Sequence, residues 1–66
     1  MPDRLAEVAK LDREIIAVQQ RIQQQRELIV RLARAGSDTE AAERLLGNIM
    51  AKLGALQARR DALAPH

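Results

Sequence analysis

The apolar residues of this chain recur at alternating intervals of three and four residues, on both sides of one glycine-containing break. In the first half the repeat comprises Val8, Leu11, Ile15, Val18, Ile22, Gln25, Ile29 and Leu32, of which Gln25 alone is polar. In the second half it comprises Ala42, Leu46, Ile49, Leu53, Leu56, Arg60 and Leu63. A 3-4 spacing sustained over almost four heptads is specific for helices that pack as a left-handed coiled coil. These positions, which we call the seam, therefore predict two amphipathic helices packed against each other.

One break separates the two runs. Gly36 stands where a left-handed residue commonly follows a helix end. It is followed by three residues that favour the N-cap of a helix, namely Ser37, Asp38 and Thr39. Ser37 and Glu40 also match the S-x-x-E capping box. We predict a single domain over 1–66, with helix 1 over about 3–35, a turn at 36–38 and helix 2 over about 39–63, ended by Pro65. So short a connection makes the helices antiparallel neighbours.

The chain is short for a self-sufficient core. At 66 residues, such a domain usually needs disulfides, a metal or oligomerisation to be comfortably stable. The chain has no Cys, and its only imidazole is the final residue, His66, so oligomerisation is the route left open. Further apolar residues lie outside the seam, among them Ile16, Val30 and Met50. Apolar stripes this broad are typical of three- or four-helix bundles. We predict an all-α, antiparallel two-helix coiled-coil hairpin that dimerises into a four-helix bundle.

Two features of the predicted packing leave alternatives open. Gln25 either fixes register and oligomer state as a buried polar residue, which is the interpretation we favour, or is merely tolerated in a Gln-rich stretch. A stripe of small residues on helix 2 marks either the close approach of another backbone or a bland solvent face; it comprises Gly47, Ala51, Gly54, Ala58 and Ala62. The predicted interface consists of the seam from Val8 to Leu56 without Ala42, together with Ile16, Gly47, Met50 and Gly54.

No constellation of catalytic residues is recognisable in the sequence. Ser37 has no base to activate it, and the metal-protease, nucleotide-binding and calcium-binding motifs are missing. We therefore expect a protein that is not an enzyme and that has no catalytic residues, cofactor or metal. The sequence contains no apolar run of about 18 residues that would span a membrane. The start of the chain, 1–4, lacks the pattern of a signal peptide, so we expect a cytoplasmic location.

Arginine is the main source of positive charge. The chain carries 11 basic and 9 acidic residues, and the net charge of +2 is spread over interspersed signs. Four arginines cluster in helix 1, at Arg21, Arg26, Arg31 and Arg34, with only Glu27 opposing them. They either dock an acidic partner or a nucleic-acid backbone, or form a solvated rim that complements the helix end. The chain has no aromatic residue that could stack on a base.

The residues around the turn carry a family resemblance. They read Q-R-E-L-I-V-R-L over 25–32, then Gly36, Asp38-Thr39, and A-E-R-L-L over 42–46. This resembles a group of short helical-hairpin proteins and tail segments common in alphaproteobacteria, with the pattern Q-R-E-x-I-x-x-L, G-x-D-T and A-E-x-L-L. Members often carry His between the Gly and Asp of the turn, where this chain has Ser37. The resemblance implies a bacterial, cytoplasmic hairpin that can also be appended to larger proteins, and it implies no activity.

Two classes of function follow from these patterns. The first hypothesis is an oligomerisation and protein-interaction module, whose partner is a second copy or a helix of another protein. The alternative is a dimeric protein that associates with nucleic acid through the arginine cluster. Association with a membrane surface is disfavoured by the missing Trp and Phe anchors and the mixed-sign polar face.

Overall fold

The computed structural model describes residues 3–63 and contains two long helices, α1 (Arg4–Arg34) and α2 (Glu40–Leu63). They pack side by side in a body of 52 × 19 × 14 Å. Contacts from Asp12 to Arg60 and from Gln25 to Ala42 show that the helices run antiparallel. The predicted all-α hairpin is thus confirmed. Pro65, which was predicted to end helix 2, and the terminal His66 lie outside the described residues.

An acidic cap begins α1. The side chain of Asp3 accepts a hydrogen bond from the backbone N–H of Leu5, at 3.0 Å, and its carbonyl accepts one from Glu7, also at 3.0 Å. Glu7 adds a negative charge to the first turn, while Arg31 and Arg34 place positive charge in the last turn. Both ends therefore complement the helix dipole.

The turn satisfies the last carbonyls of α1 with its own backbone. Gly36 has the predicted left-handed conformation, with φ of 73°. Its N–H donates to the carbonyl of Ala33 at 3.1 Å, and the N–H of Ser37 donates to the carbonyl of Leu32 at 2.9 Å. This pair of bonds is the Schellman motif, and it is accessible at low energy because glycine has no Cβ to oppose positive φ.

The side chain of Asp38 satisfies a backbone N–H at the start of α2, and the predicted capping box between Ser37 and Glu40 was wrong. The side chain of Asp38 accepts the backbone N–H of Glu40 at 2.9 Å. The N–H of Ser37, which the Glu40 carboxylate would have needed, is already bound to Leu32. The carboxylate of Glu40 instead pairs with Arg44, one turn further along the helix. The Schellman motif and a capping box cannot share the one N–H of Ser37, and the former has it.

The seam forms the core between the two helices. Every seam position from Val8 to Leu63 is buried or half-buried. The most deeply buried are Leu11, Ile15, Val18, Ile22 and Ile49, each between 4% and 8% exposed. No described side chain is fully enclosed, since each helix has only one neighbour. This is a thin core, and it leaves the two broad sides of the hairpin open.

Neither helix within residues 3–63 is both long and apolar enough to cross a membrane.

Candidate protein interaction surface

Large apolar side chains remain exposed on one broad side of the hairpin. The exposed fractions are 70% for Leu5, 55% for Ile16, 46% for Val30 and 46% for Met50, with Leu45 at 45%. Their helical positions relative to the seam place the first four on one side, since they fall at heptad positions b or e, whereas Leu45 falls at g. In an antiparallel pair, the e sides of the two helices adjoin each other, so these four residues share one face.

A shallow groove between the helices confirms that these positions adjoin. It is floored by the seam residues Ile22 and Leu53, and its walls are Gln19, Gln23 and Arg26 of α1 and Met50, Gly54 and Gln57 of α2. Ile16 and Val30 lie two turns before and after Gln23, and hence on the same side of α1. We call this side the Ile16–Met50 face; it comprises Leu5, Asp12, Ile16, Gln19, Gln23, Arg26, Val30, Gly47, Met50, Gly54 and Gln57.

The centre of the Ile16–Met50 face carries no charge. On α1 the stretch of the face between Asp12 and Arg26 contains only Ile16 and two glutamines. On α2 the four face positions from 47 to 57 are two glycines, Met50 and Gln57. Depletion of charge around large apolar side chains, with polar residues at the rim, is typical of the centre of protein interfaces.

Gly47 and Gly54 have open space in front of them. A Cβ built on either residue meets no heavy atom within 4 Å. If these glycines mark the close approach of another backbone, that backbone is therefore not α1 of the same chain. Within residues 3–63 the stripe of small residues faces solvent and is open to the approach of a second molecule.

The opposite broad side is charged. A depression there is lined by Glu7, Lys10, Glu14 and Arg59 around the seam residues Leu11 and Leu56. Steps of seven residues place Arg21 and Lys52 on this same side. Leu45 lies there too, as does the half-buried Leu28. This second side, which we call the basic face, has charges at its centre, where the Ile16–Met50 face has none.

Most of the predicted interface residues are already used inside the hairpin. The seam members of that set, from Val8 to Leu56, are covered by the other helix of the same chain. Ile16, Gly47, Met50 and Gly54 stay exposed and are available to a second molecule. The structure thus divides the predicted interface into an internal part and a free part.

Gln25 connects the two helices through a hydrogen bond. Its side-chain amide donates to the backbone carbonyl of Ala42 at 2.9 Å, and the residue is half-buried. This bond supports the interpretation that Gln25 fixes register, because sliding one helix along the other would break it. The bond lies within one hairpin and so bears on the pairing of α1 with α2.

Arg60 and Asp12 form an ion pair across the hairpin that the sequence analysis missed. The guanidinium of Arg60, the basic member of the seam, binds the carboxylate of Asp12 on the other helix. The hydrogen bond that Arg60 donates to Asp12, and then the negative charge of Asp12, raise the pKa of Arg60 above its ordinary value. Helical side chains lean towards the N-terminus, which brings Arg60 back along α2 towards Asp12. An acidic residue flanking the seam opposite a basic seam residue was the available signal.

The predicted arginine cluster divides into two parts. Arg26, Arg31 and Arg34 surround a depression at Val30, together with Gln23 and Glu27. Arg21 does not line this depression, because five residues before Arg26 correspond to about 140° around the helix. Glu27 lies among the three arginines and offsets part of their charge.

No group of His, Cys, Asp or Glu residues suited to hold a metal ion is found within the described part of the chain. No protein family, curated protein or solved structure matches this chain. The resemblance to alphaproteobacterial hairpins therefore stays a prediction.

Proposed function

We propose that this protein is a non-enzymatic interaction module that associates with a second copy of itself into a four-helix bundle. The observation that carries the proposal is the Ile16–Met50 face. Of the five large apolar side chains that are exposed in the described part of the chain, four lie on it, and its centre is free of charge. Contiguous apolar patches rimmed by polar residues mark interaction sites on soluble proteins.

Because its core is thin, the hairpin would gain stability by associating with a second copy. Within residues 3–63, five apolar residues are buried, and none of them is fully enclosed. A chain of 66 residues without disulfides gains stability from any partner that binds the folded form but not the unfolded one. Covering Ile16 and Met50 would remove about 1 kcal/mol or more of unfavourable hydration for each half-exposed side chain.

Association is tested by sedimentation equilibrium of the wild-type protein and of the double variant Ile16→Glu, Met50→Glu. The wild type is expected to sediment as two chains, and the variant as one, because two carboxylates cannot be desolvated in an apolar contact. Circular dichroism should show an unchanged helix content in the variant, since both positions are about half exposed in the hairpin. A wild-type protein that sediments as a single chain up to millimolar concentration would contradict the proposal.

Nucleic-acid association is the second candidate. It is favoured by one observation, the three arginines that surround the depression at Val30. Fluorescence anisotropy of a labelled DNA duplex tests it. Binding at low salt that weakens steeply as salt rises, and that is lost on replacing Arg26, Arg31 and Arg34 by Gln, would support it. Absence of binding at low salt would eliminate it.

A further inference from the structure

Building on the proposed self-association, we propose that the second copy docks on the Ile16–Met50 face in an antiparallel arrangement. In this arrangement α1 lies across α1 of the second copy, and α2 lies across α2. The two-fold axis runs through the interface at right angles to the helices. Such an isologous contact requires a face whose features repeat symmetrically about its midpoint.

The Ile16–Met50 face has this symmetry. On α1, Leu5 and Val30 are equally distant from the point between residues 17 and 18. On α2, Gly47 and Gly54 are equally distant from the point between residues 50 and 51. Both midpoints lie between the cross-helix contacts Asp12–Arg60 and Gln25–Ala42, so they lie at nearly the same height of the hairpin.

Apolar residues meet apolar residues in the antiparallel dimer. Leu5 falls opposite Val30 of the second copy, and Ile16 falls beside the axis. Gly47 falls opposite Gly54 of the second copy, where the missing Cβ atoms leave room for a close approach of the two α2 backbones. The open space in front of both glycines would then be filled by the second molecule.

The alternative two-fold axis, parallel to the helices, matches the face poorly. It would lay α1 over α2 of the second copy at equal height. Val30 would then face the turn around residues 37 and 38 or the first turn of α2, and Leu5 would face the end of α2 near Asp61. Ile16 would lie level with Met50 of the second copy, but the other two of the four large apolar residues would lie against polar groups, which is why we choose the antiparallel form.

Charges favour the same arrangement. Asp12 falls opposite Gln23 of the second copy, within one helical turn of Arg26 of that copy. An arginine side chain leans towards the N-terminus of its helix, which brings Arg26 towards the opposing Asp12. The basic face offers no such match, because charged residues of both signs lie at its centre, among them Glu14, Arg21 and Lys52, and burying them in a contact would cost their hydration.

The face is large enough for a stable contact. The broad side of the hairpin measures 52 by 19 Å, on the order of 1,000 Å², and a standard interface buries about 800 Å² on each partner. A second copy, being as long as this hairpin, can cover the face over its whole length.

Neighbouring glutamines offer a matched test of the face. Gln23 lies on the Ile16–Met50 face and Gln24 does not, although both are exposed on α1. Because Gln23 opposes Asp12, Gln23→Glu should raise the dissociation constant by about threefold to fivefold, and Gln23→Arg should lower it by a similar factor. Gln24→Glu and Gln24→Arg should leave it within about twofold. Equal effects at the two positions would overturn the assignment of the face.

A spin-label distance tests the antiparallel arrangement. The chain has no Cys, so Arg34→Cys, outside the Ile16–Met50 face, provides a single site for a label. In the antiparallel dimer two labels at position 34 are separated by about 33 residues of helix, or about 50 Å. With the axis parallel to the helices they would be within about 25 Å, across the diagonal of the bundle.

Failure of the self-association and failure of the antiparallel docking give different results. A wild type that stays a single chain shows no intermolecular distance at all, and the proposed function itself then fails. A dimer with a short distance at position 34, or with equal responses at Gln23 and Gln24, keeps the self-association but overturns the antiparallel docking. A distance near 50 Å together with opposite responses to Glu and Arg at position 23 supports it.

Discussion

At the scale of single residues, the two polar seam positions show how a thin core tolerates polarity. Gln25 donates a hydrogen bond to Ala42, and Arg60 binds Asp12, each across the hairpin. No buried side-chain nitrogen or oxygen within residues 3–63 lacks a hydrogen-bond partner. Polar groups near a core cost stability mainly when they are left unpaired. Both residues therefore fit the seam by pairing rather than by hydrophobic contact.

Replacing the amide of Gln25 by a carboxylate tests its hydrogen bond. Gln25→Glu keeps the shape but removes the donor, so it should lower the free energy of unfolding by about 1–2 kcal/mol at neutral pH. The charged form is disfavoured beside a carbonyl, which raises the pKa of the new carboxyl above about 4.3. Stability should therefore return as pH falls through that raised pKa, because the protonated acid can donate again. Denaturant unfolding against pH, with Gln24→Glu as control, measures this; parallel pH profiles would contradict it.

A charge swap tests the ion pair. Asp12→Arg should lower the midpoint of thermal unfolding at low salt, because it sets two positive groups side by side. The double variant Asp12→Arg, Arg60→Asp should recover part of the loss, and the difference should shrink as salt is added, since both groups are partly exposed. Recovery that is absent at low salt would show that the pair does not contribute.

At the scale of the elements, the turn contains two adjacent motifs, one that ends α1 and one that begins α2. The backbone of Gly36 and Ser37 ends α1, and the side chain of Asp38 begins α2. Each group has one task, which explains why the capping box found in the sequence does not form. The helices themselves follow from periodicity and from these end signals.

Paired alanine variants test this division. Asp38→Ala should lower the free energy of unfolding by about 1 kcal/mol through loss of the cap. Ser37→Ala should change it by a few tenths at most, because the bond made by Ser37 uses its backbone N–H. Denaturant unfolding at one fixed protein concentration gives both values. An equal loss in the two variants would instead indicate that the capping box between Ser37 and Glu40 does form.

Sequence reasoning recovered the fold through its periodic positions. The 3-4 spacing identified all five buried residues within 3–63, and Gly36 marked the turn, because both signals depend only on local sequence. The Asp12–Arg60 pair escaped it, since pairing across the hairpin depends on how the helices are aligned along their lengths. The division of the arginine cluster also escaped it, because neighbours in sequence need not share a side of a helix, as Arg21 and Arg26 show.

At the scale of the whole molecule, two opposed faces set what the hairpin can do. The Ile16–Met50 face is apolar and uncharged at its centre, and the basic face is charged. In a monomer the whole Ile16–Met50 face would be exposed to water. In the proposed dimer, stability therefore depends on association, since the same surface that weakens the single hairpin would hold the dimer together.

Substitutions at Gly47 and Gly54 should affect the stability of the single hairpin and the strength of self-association in opposite directions. In the single hairpin, Gly47→Ala and Gly54→Ala should each raise the free energy of unfolding by about 1 kcal/mol, because alanine favours helix and the space is open. In the proposed dimer the new methyl groups would meet the second copy and weaken association. Unfolding of the dilute monomer and sedimentation of the concentrated protein measure the two effects. Alanines that strengthen association would contradict the close approach.

The sharpest test of self-association is the dependence of thermal unfolding on protein concentration. If covering the Ile16–Met50 face stabilises the fold, the unfolding midpoint of the wild type should rise by several degrees over a hundredfold increase in protein concentration. The midpoint of Met50→Glu should stay constant, while that of Leu45→Glu, equally exposed but on the basic face, should rise like the wild type. A wild-type midpoint that does not change with concentration would contradict the account.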